Sequence, residues 1–299
     1  MSLVIAGRFR SLIGKLQPRP GEIDVYESHR RSATIRLNKA FGIRLVPTIG
    51  SYKRGSAIRR FSDIDLMPVF PVASIRWGSG WKTSTTVLNQ TRDQLRDRYT
   101  DTNVGRDNQA IVIRFRDGQH PVDVTPAVYT GPGLNNYPIY AIPDGEGWWK
   151  DSSPHIHNKF INDQNASSGG KLRNVVKLVK FWRYCRTPHI PINSFHVELL
   201  LAQERTCIGA KSYARCFTET LELLANRQCR ALRDPLRISG YVKAANTDVK
   251  RGVALGAIEA SLDHAYRALD AENYGGLDEA TRQWEMVFHR YFMGAAYPG

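Results

Sequence analysis

The stretch Gly50-Ser51-Tyr52-Lys53-Arg54-Gly55-Ser56-Ala57-Ile58-Arg59-Arg60-Phe61-Ser62-Asp63-Ile64-Asp65-Leu66 decides how the rest of this chain is read. The run from Ile64 to Phe70 has the look of a strand, ended by Pro71. Side chains alternate along a strand, so Asp63 and Asp65, one residue apart, share a face. Two carboxylates held that close repel unless a cation lies between them, and oxygen donors suit a divalent metal. A third acid, Asp123, sits in the alternating segment Pro121-Val122-Asp123-Val124-Thr125. Three carboxylates on adjacent strands are what a two-metal phosphoryl-transfer site requires. Upstream, a Gly50-Ser51 turn opening a helix offers backbone N–H groups and a hydroxyl to phosphate oxygens, and glycine lets the backbone come close. An isolated Asp-x-Asp is common by chance and would read as surface carboxylates. The turn, the apolar strand and the third acid together favour the catalytic reading.

A length of 299 residues suits one large or two ordinary domains, and 42% hydrophobic with 23% charged residues support a sizeable core rather than disorder. No apolar run approaches the roughly 18 residues of a membrane helix; the longest, Val197 to Ala202, is broken by Glu198. Cys185, Cys207, Cys216 and Cys229 show no metal-binding spacing and read as reduced interior thiols, which predicts a cytoplasmic protein. The formal charge is +14, and residues 1–60 carry 13 basic residues against Glu22, Asp24 and Glu27. That N-terminal excess could serve a nucleic acid, a regulatory protein or plain solvation. The first 21 residues hold no acid, as a transit peptide does, but Leu3, Ile5, Phe9, Leu12, Ile13 and Leu16 equally describe an amphipathic docking helix.

Along the chain the pattern predicts a helix over 22–45, a second over 84–98, and a hairpin of 110–116 and 121–127 turning at Asp117-Gly118. Residues 129–170, rich in Gly, Pro and Asn, read as loops, with His155 and His157 exposed among them. The Ser167–Gly170 run marks a domain boundary, giving 1–166 and 167–299. Beyond it the pattern is helical. Leu172, Val175, Val176, Val179 and Trp182 form one stripe, and Arg173, Lys177, Lys180 and Tyr184 the opposite one. Lys53, Arg54, Arg59 and Arg60 could contact phosphate or nucleic acid, with solvated charge the stronger reading.

The glycine-serine turn, the Asp-x-Asp and the later strand acid resemble the nucleotidyltransferases of the DNA polymerase β superfamily. Within it the chain is most similar to the cyclic GMP-AMP synthase-like enzymes, the bacterial CD-NTases of anti-phage (CBASS) signalling. That narrower likeness rests on the Gly-Ser-Tyr-x-Arg-Gly-Ser loop, on Leu172 to Trp182, on Asn193-Ser194-Phe195-His196-Val197-Glu198, and on Asp234-Pro235 followed by Lys250-Arg251. The resemblance implies an α+β fold: a polymerase β-like core with a twisted mixed sheet, plus a C-terminal helical bundle, bilobed around a central active-site cleft. It implies that Asp63, Asp65 and Asp123 hold two Mg²⁺ ions, with Mn²⁺ able to substitute, and that Gly50 and Ser51 hold a donor triphosphate. Lys180 matches the family lysine that reaches the triphosphate, and Ser194 the serine that assists it. Phe195 stands where the family often has a base-stacking Tyr, and keeps the face without the hydroxyl.

The expected function is a magnesium-dependent transferase that joins nucleoside triphosphates, ATP among them, into a cyclic di- or trinucleotide second messenger in antiviral defence, releasing pyrophosphate. A template-independent transferase making linear oligoadenylate or extending RNA would use the same site. An inert nucleic-acid-binding homologue would have no use for three crowded carboxylates.

Overall fold

The computed structural model describes residues 2–43, 45–99, 102–116 and 120–293, so the turn expected at Asp117-Gly118 lies outside the described residues. In chain order the elements are α1 (Leu3–Lys15), α2 (Pro20–Phe41), α3 (Gly50–Arg54), β1 (Ile64–Leu66), α4 (Val72–Ile75), β2 (Arg76–Trp77), β3 (Gly80–Trp81) and α5 (Ser84–Arg96). Then come β4 (Asn103–Asp107), β5 (Ala110–Arg114), β6 (Val122–Val124), β7 (Val128–Pro132), β8 (Pro138–Pro143), β9 (Trp149–Ser152) and α6 (Pro154–Ser167). The remainder is α7 (Lys171–Tyr184), α8 (Ser194–Glu204), α9 (Tyr213–Asn226), β10 (Leu232–Arg233), β11 (Tyr241–Val242), α10 (Asp248–Asn273) and α11 (Leu277–Phe288).

Two compact units result. The first holds Pro18–Lys159 and Leu236–Gly240, the second Met1–Gln17, Phe160–Pro235 and Tyr241–Gly299. In the first unit the main sheet runs β1-β6-β5-β4, with β1 parallel to β6 and the other neighbours antiparallel. Ile64, Leu66, Val122 and Val124 point one way and are fully buried, packing with Ile111 and Ile113 of β5 and with Leu37 of α2 and Leu88 and Leu95 of α5. Period-two alternation therefore sends the residues between them, Asp65 and Asp123, to the opposite face. Regular pairing of β1 stops at Leu66, two residues before Pro68, which has no N–H for a ladder; a single bridge from Val69 to Ala127 continues the line.

The stretch 129–170, expected to be loops, is instead ordered as the antiparallel sheet β7-β8-β9 followed by α6. Prolines account for the difference. Pro154 stands at the first position of α6, where its fixed φ suits a helix and its missing N–H costs nothing. Tyr140, Ala141 and Ile142 of β8 are buried between two prolines, and Ile156 and Ile161 of α6 are buried as well. His157 is accordingly not an exposed loop histidine: it is buried, and its Nδ1 lies 2.9 Å from the Ser153 carbonyl oxygen.

The division also departs from the 166/167 boundary, because α1 joins the helical unit. Its apolar face buries Ile5, Phe9, Leu12, Ile13 and Leu16. Phe9 sits edge-on to Trp284 with ring centroids 5.0 Å apart and to Phe292 at 5.1 Å. Truncating an aromatic that completes such a nest costs roughly 3–5 kcal/mol, so packing overrides chain proximity. The Ser167–Gly170 run is a turn between α6 and α7 within that same unit, with Gly169 and Gly170 at positive φ.

Candidate active site

The first cluster is built on the edge of the main sheet. The extended residues before α3 run antiparallel to β1 and its continuation: Ile49 N–H donates to the Asp65 carbonyl at 2.9 Å, Met67 N–H to Pro47 at 3.0 Å and Val69 N–H to Leu45 at 2.9 Å. This ladder delivers Gly50 against the Asp65 side chain. Gly50 has φ +66°, and a Cβ placed there would lie 1.8 Å from Asp65 Oδ2 and 2.4 Å from its Cγ. The glycine is therefore required twice, for the left-handed backbone and for the carboxylate beside it. Ser51 follows, almost fully buried, at the start of α3.

Asp65 and Asp123 are direct register partners on parallel strands, and Asp123 also opposes Val112 of β5. Asp63, exposed, precedes β1 and shares the alternation that turns Asp65 away from the core. The electrostatic result is visible at Asp123, whose carboxyl is pushed up to about 8, first by burial and then by the negative charges of Asp63 and Asp65. Asp107 adds to that rise and Arg114 opposes it. A crowd of carboxylates in low dielectric is costly unless protons or cations join it. Hard oxygen donors of this kind fit Mg²⁺ or Mn²⁺. Among the described residues no three His, Cys, Asp or Glu side chains already stand close enough together to enclose an ion. The fit therefore rests on donor chemistry and shared charge.

The loop between Gly50 and Asp63 is tied down by contacts that local spacing does not announce. Tyr52 stacks on Tyr26 with ring centroids 4.3 Å apart, and its hydroxyl lies 3.1 Å from His120 Nδ1. Burial, then Glu22, Tyr26 and Asp63, raise the Tyr52 phenol above its ordinary range. The Ser62 hydroxyl accepts from Ile58 N–H at 2.9 Å. Arg54 and Arg59, expected to be solvated, are buried: Arg54 donates to Asn158 Oδ1 at 3.3 Å and Arg59 pairs with Glu22 at 3.1 Å. The basic N-terminal sixty residues are divided between the units, residues 1–17 in one and 18–60 in the other.

The second cluster belongs to the helical unit. Lys177 and Lys180 of α7 are both buried rather than solvated. Lys180 Nζ lies 3.7 Å from Glu198 Oε1 of α8. One turn further along α7, Arg183 donates to the Ser194 hydroxyl at 3.3 Å. Asn193 caps α8 by accepting from Phe195 N–H at 2.9 Å, and Phe195 itself is half-buried. So the structure assembles Gly50, Ser51, Asp63, Asp65 and Asp123 in one unit and Lys180, Ser194 and Phe195 along one helix pair in the other. Glu198 and Arg183 are the neighbours that single-residue reading passes over; each acts across helices, where local spacing carries no signal.

Comparison with known proteins bears on these clusters. Residues 1–165 match the family model of the Second Messenger Oligonucleotide or Dinucleotide Synthetase domain. A probable cyclic nucleotide synthase of Bacillus cereus (strain VD146) is 24% identical over 271 residues, covering 80% of this chain and 79% of that protein. A cyclic AMP-AMP-AMP synthase of Escherichia coli (strain MS 115-1) is 24% identical over 277 residues, covering 84% of each. The solved structure of E. coli MS115-1 CdnC with ATP superposes with a TM-score of 0.73 at 18% identity, over 98% of this chain and 99% of that one.

Proposed function

The chain belongs to the family of second messenger oligonucleotide or dinucleotide synthetases and is a nucleotidyltransferase, and on that premise we propose that it joins nucleoside triphosphates, ATP among them, into a cyclic di- or trinucleotide with release of pyrophosphate. The observation that carries the reading is the register of Asp65 with Asp123 on parallel strands, with Asp63 beside them and Gly50 pressed against the Asp65 carboxylate. The relatives' names, one of them a cyclic AMP-AMP-AMP synthase, support a ring-closing product over a linear chain. The resemblance to bacterial CD-NTases supports an anti-phage signalling role.

In this proposal Asp63, Asp65 and Asp123 hold two Mg²⁺ ions. When bound, such ions neutralise developing charge on the attacking and leaving oxygens. Gly50 offers a backbone that a phosphate can approach, and Ser51 a hydroxyl donor at the start of α3. Lys180 supplies a point charge to the triphosphate and Ser194 a hydroxyl. Phe195 offers an aromatic face to a base, worth roughly 1–3 kcal/mol in other stacked sites. Holding the ribose hydroxyl in line with an α-phosphorus adds to this, since positioning alone supplies about 7–11 kcal/mol in favourable cases.

The test is incubation with all four nucleoside triphosphates and Mg²⁺ or Mn²⁺, followed by phosphatase treatment and mass spectrometry. A phosphatase-resistant oligonucleotide with stoichiometric pyrophosphate is expected. A phosphatase-sensitive ladder would replace ring closure by linear synthesis, and absence of any product would remove the reading.

A further inference from the structure

Helix α7 carries Arg173, Lys177 and Lys180 within about 60° of arc, since residues four and seven apart return to nearly the same side. Lys177 and Lys180 are only 5% and 6% exposed. Two adjacent buried ammonium groups repel each other and lose hydration. They meet this in different ways. Lys177 donates to an amide oxygen, Gln17 Oε1 of the chain just after α1, at 2.6 Å. Burial, Arg173 and Lys180 push it down to about 8. Lys180 faces a carboxylate, Glu198, which is fully buried.

Glu198 lies one turn along α8 from Ser194, on the same face. The Lys180–Glu198 and Arg183–Ser194 contacts therefore form two rungs of one antiparallel seam between α7 and α8. A burial cost of this size is not repaid by stability alone: a well-packed apolar pair is usually as good or better. What the carboxylate adds is a cation held at a set point beside Ser194.

We propose that Glu198 is a positioning residue for nucleotide binding, acting through Lys180: its carboxylate holds the Lys180 ammonium in place in the α7–α8 seam, where that ammonium meets the triphosphate. This rests on the role given above to Lys180. The isosteric change Glu198→Gln keeps shape and a hydrogen-bonding oxygen but removes the charge. ATP affinity, measured by titration of the full chain, falls roughly tenfold, as for loss of one charge-assisted contact. The KM for ATP rises with it, while kcat at saturation falls less than threefold.

The discriminating measurement is a double-mutant cycle with Lys180→Met. In that background Glu198→Gln changes ATP affinity by less than twofold. An equal loss with and without Lys180 would make Glu198 a structural residue and overturn the proposal. So would tighter ATP binding by Glu198→Gln, which would make the carboxylate a competitor of the phosphates. Should Glu198→Gln fail to fold, Glu198→Asp retains the charge and withdraws it by one methylene. An affinity loss there that disappears in the Lys180→Met background supports the proposal in the same way, and unchanged affinity overturns it. If the unsubstituted chain binds no ATP, the functional reading itself falls. Normal binding that ignores Glu198 removes only this inference.

Discussion

Two regions of the molecule each bring like charges together, and the crowding shows differently in each. On the sheet edge, Asp63, Asp65 and Asp123 crowd together, and the strain shows as an Asp123 carboxyl pushed up to about 8. On α7, Lys177 and Lys180 are buried three residues apart, and one of them is met by Glu198 at 3.7 Å. On the helix a carboxylate of the protein stands beside Lys180; at the sheet edge the acids raise Asp123 together, with Arg114 opposing the rise. Under the proposed function the acids would meet a cation, and the lysine beside Glu198 an anion.

The largest effect is expected at the sheet edge. Replacing Asp63 and Asp65 together by Ala removes product formation by about 10³-fold or more, as expected when a site's charge stabilisation is lost as a unit. The fold survives, and without divalent ions its melting temperature is unchanged or higher, because repulsion on Asp123 is relieved. A thermal scan checks the pairing of these effects. Mg²⁺ raises the melting temperature of the unsubstituted chain, and chelation reverses the rise; the double variant shows no such response. If Mg²⁺ stabilises both equally, the carboxylates are not where the ion binds.

A smaller change sharpens the same region. Gly50→Ala places a methyl 1.8 Å from Asp65 Oδ2 in a backbone with φ +66°. The Asp65 side chain must rotate away, and the backbone strain adds roughly 1–3 kcal/mol. Turnover drops about 100-fold, in line with a displacement of order 1 Å at a reacting centre. The circular-dichroism spectrum stays native-like, since α3 and β1 keep their ladder. A variant with near-normal turnover would show that close approach of Gly50 to Asp65 is incidental.

How much of this is legible in the sequence divides along physical lines. The alternation around Asp63, Asp65 and Asp123 is local, so strand faces and the carboxylate set can be read directly, as can the apolar stripe of α7. Burial of Lys177 and Lys180 cannot, because a helical wheel shows an opposite stripe without showing what packs on it. Phe9 looks like part of a docking helix, but its home among Trp284, Phe288 and Phe292 lies more than 270 residues away in the chain. The prolines of 138–154 suggest loops, whereas they flank β8 and start α6. In each case the missing information is the identity of a distant partner, not the propensity of the residue.

The mildest test returns to the helix and concerns stability alone. Lys177 is held at about 8 against an ordinary value of 10.5, by burial first and then by Arg173 and Lys180. Between those values the unfolded chain holds a proton that the folded chain has released, so unfolding free energy rises with pH across that window. Below about pH 8 both states are protonated and the full penalty stands. Lys177→Met therefore raises the melting temperature at pH 7 by a few degrees, because the apolar stem is kept and the buried charge removed. At pH 10 the advantage shrinks, since the unsubstituted lysine is by then neutral in the folded state. An equal gain at both pH values would trace the effect to packing against Gln17 rather than to charge. The matching change at Lys180 behaves oppositely: Lys180→Met deprives the buried Glu198 carboxylate of its 3.7 Å partner and lowers the melting temperature at pH 7. Two lysines three residues apart, equally buried, should thus move stability in opposite directions, and the carboxylate facing one of them is the reason.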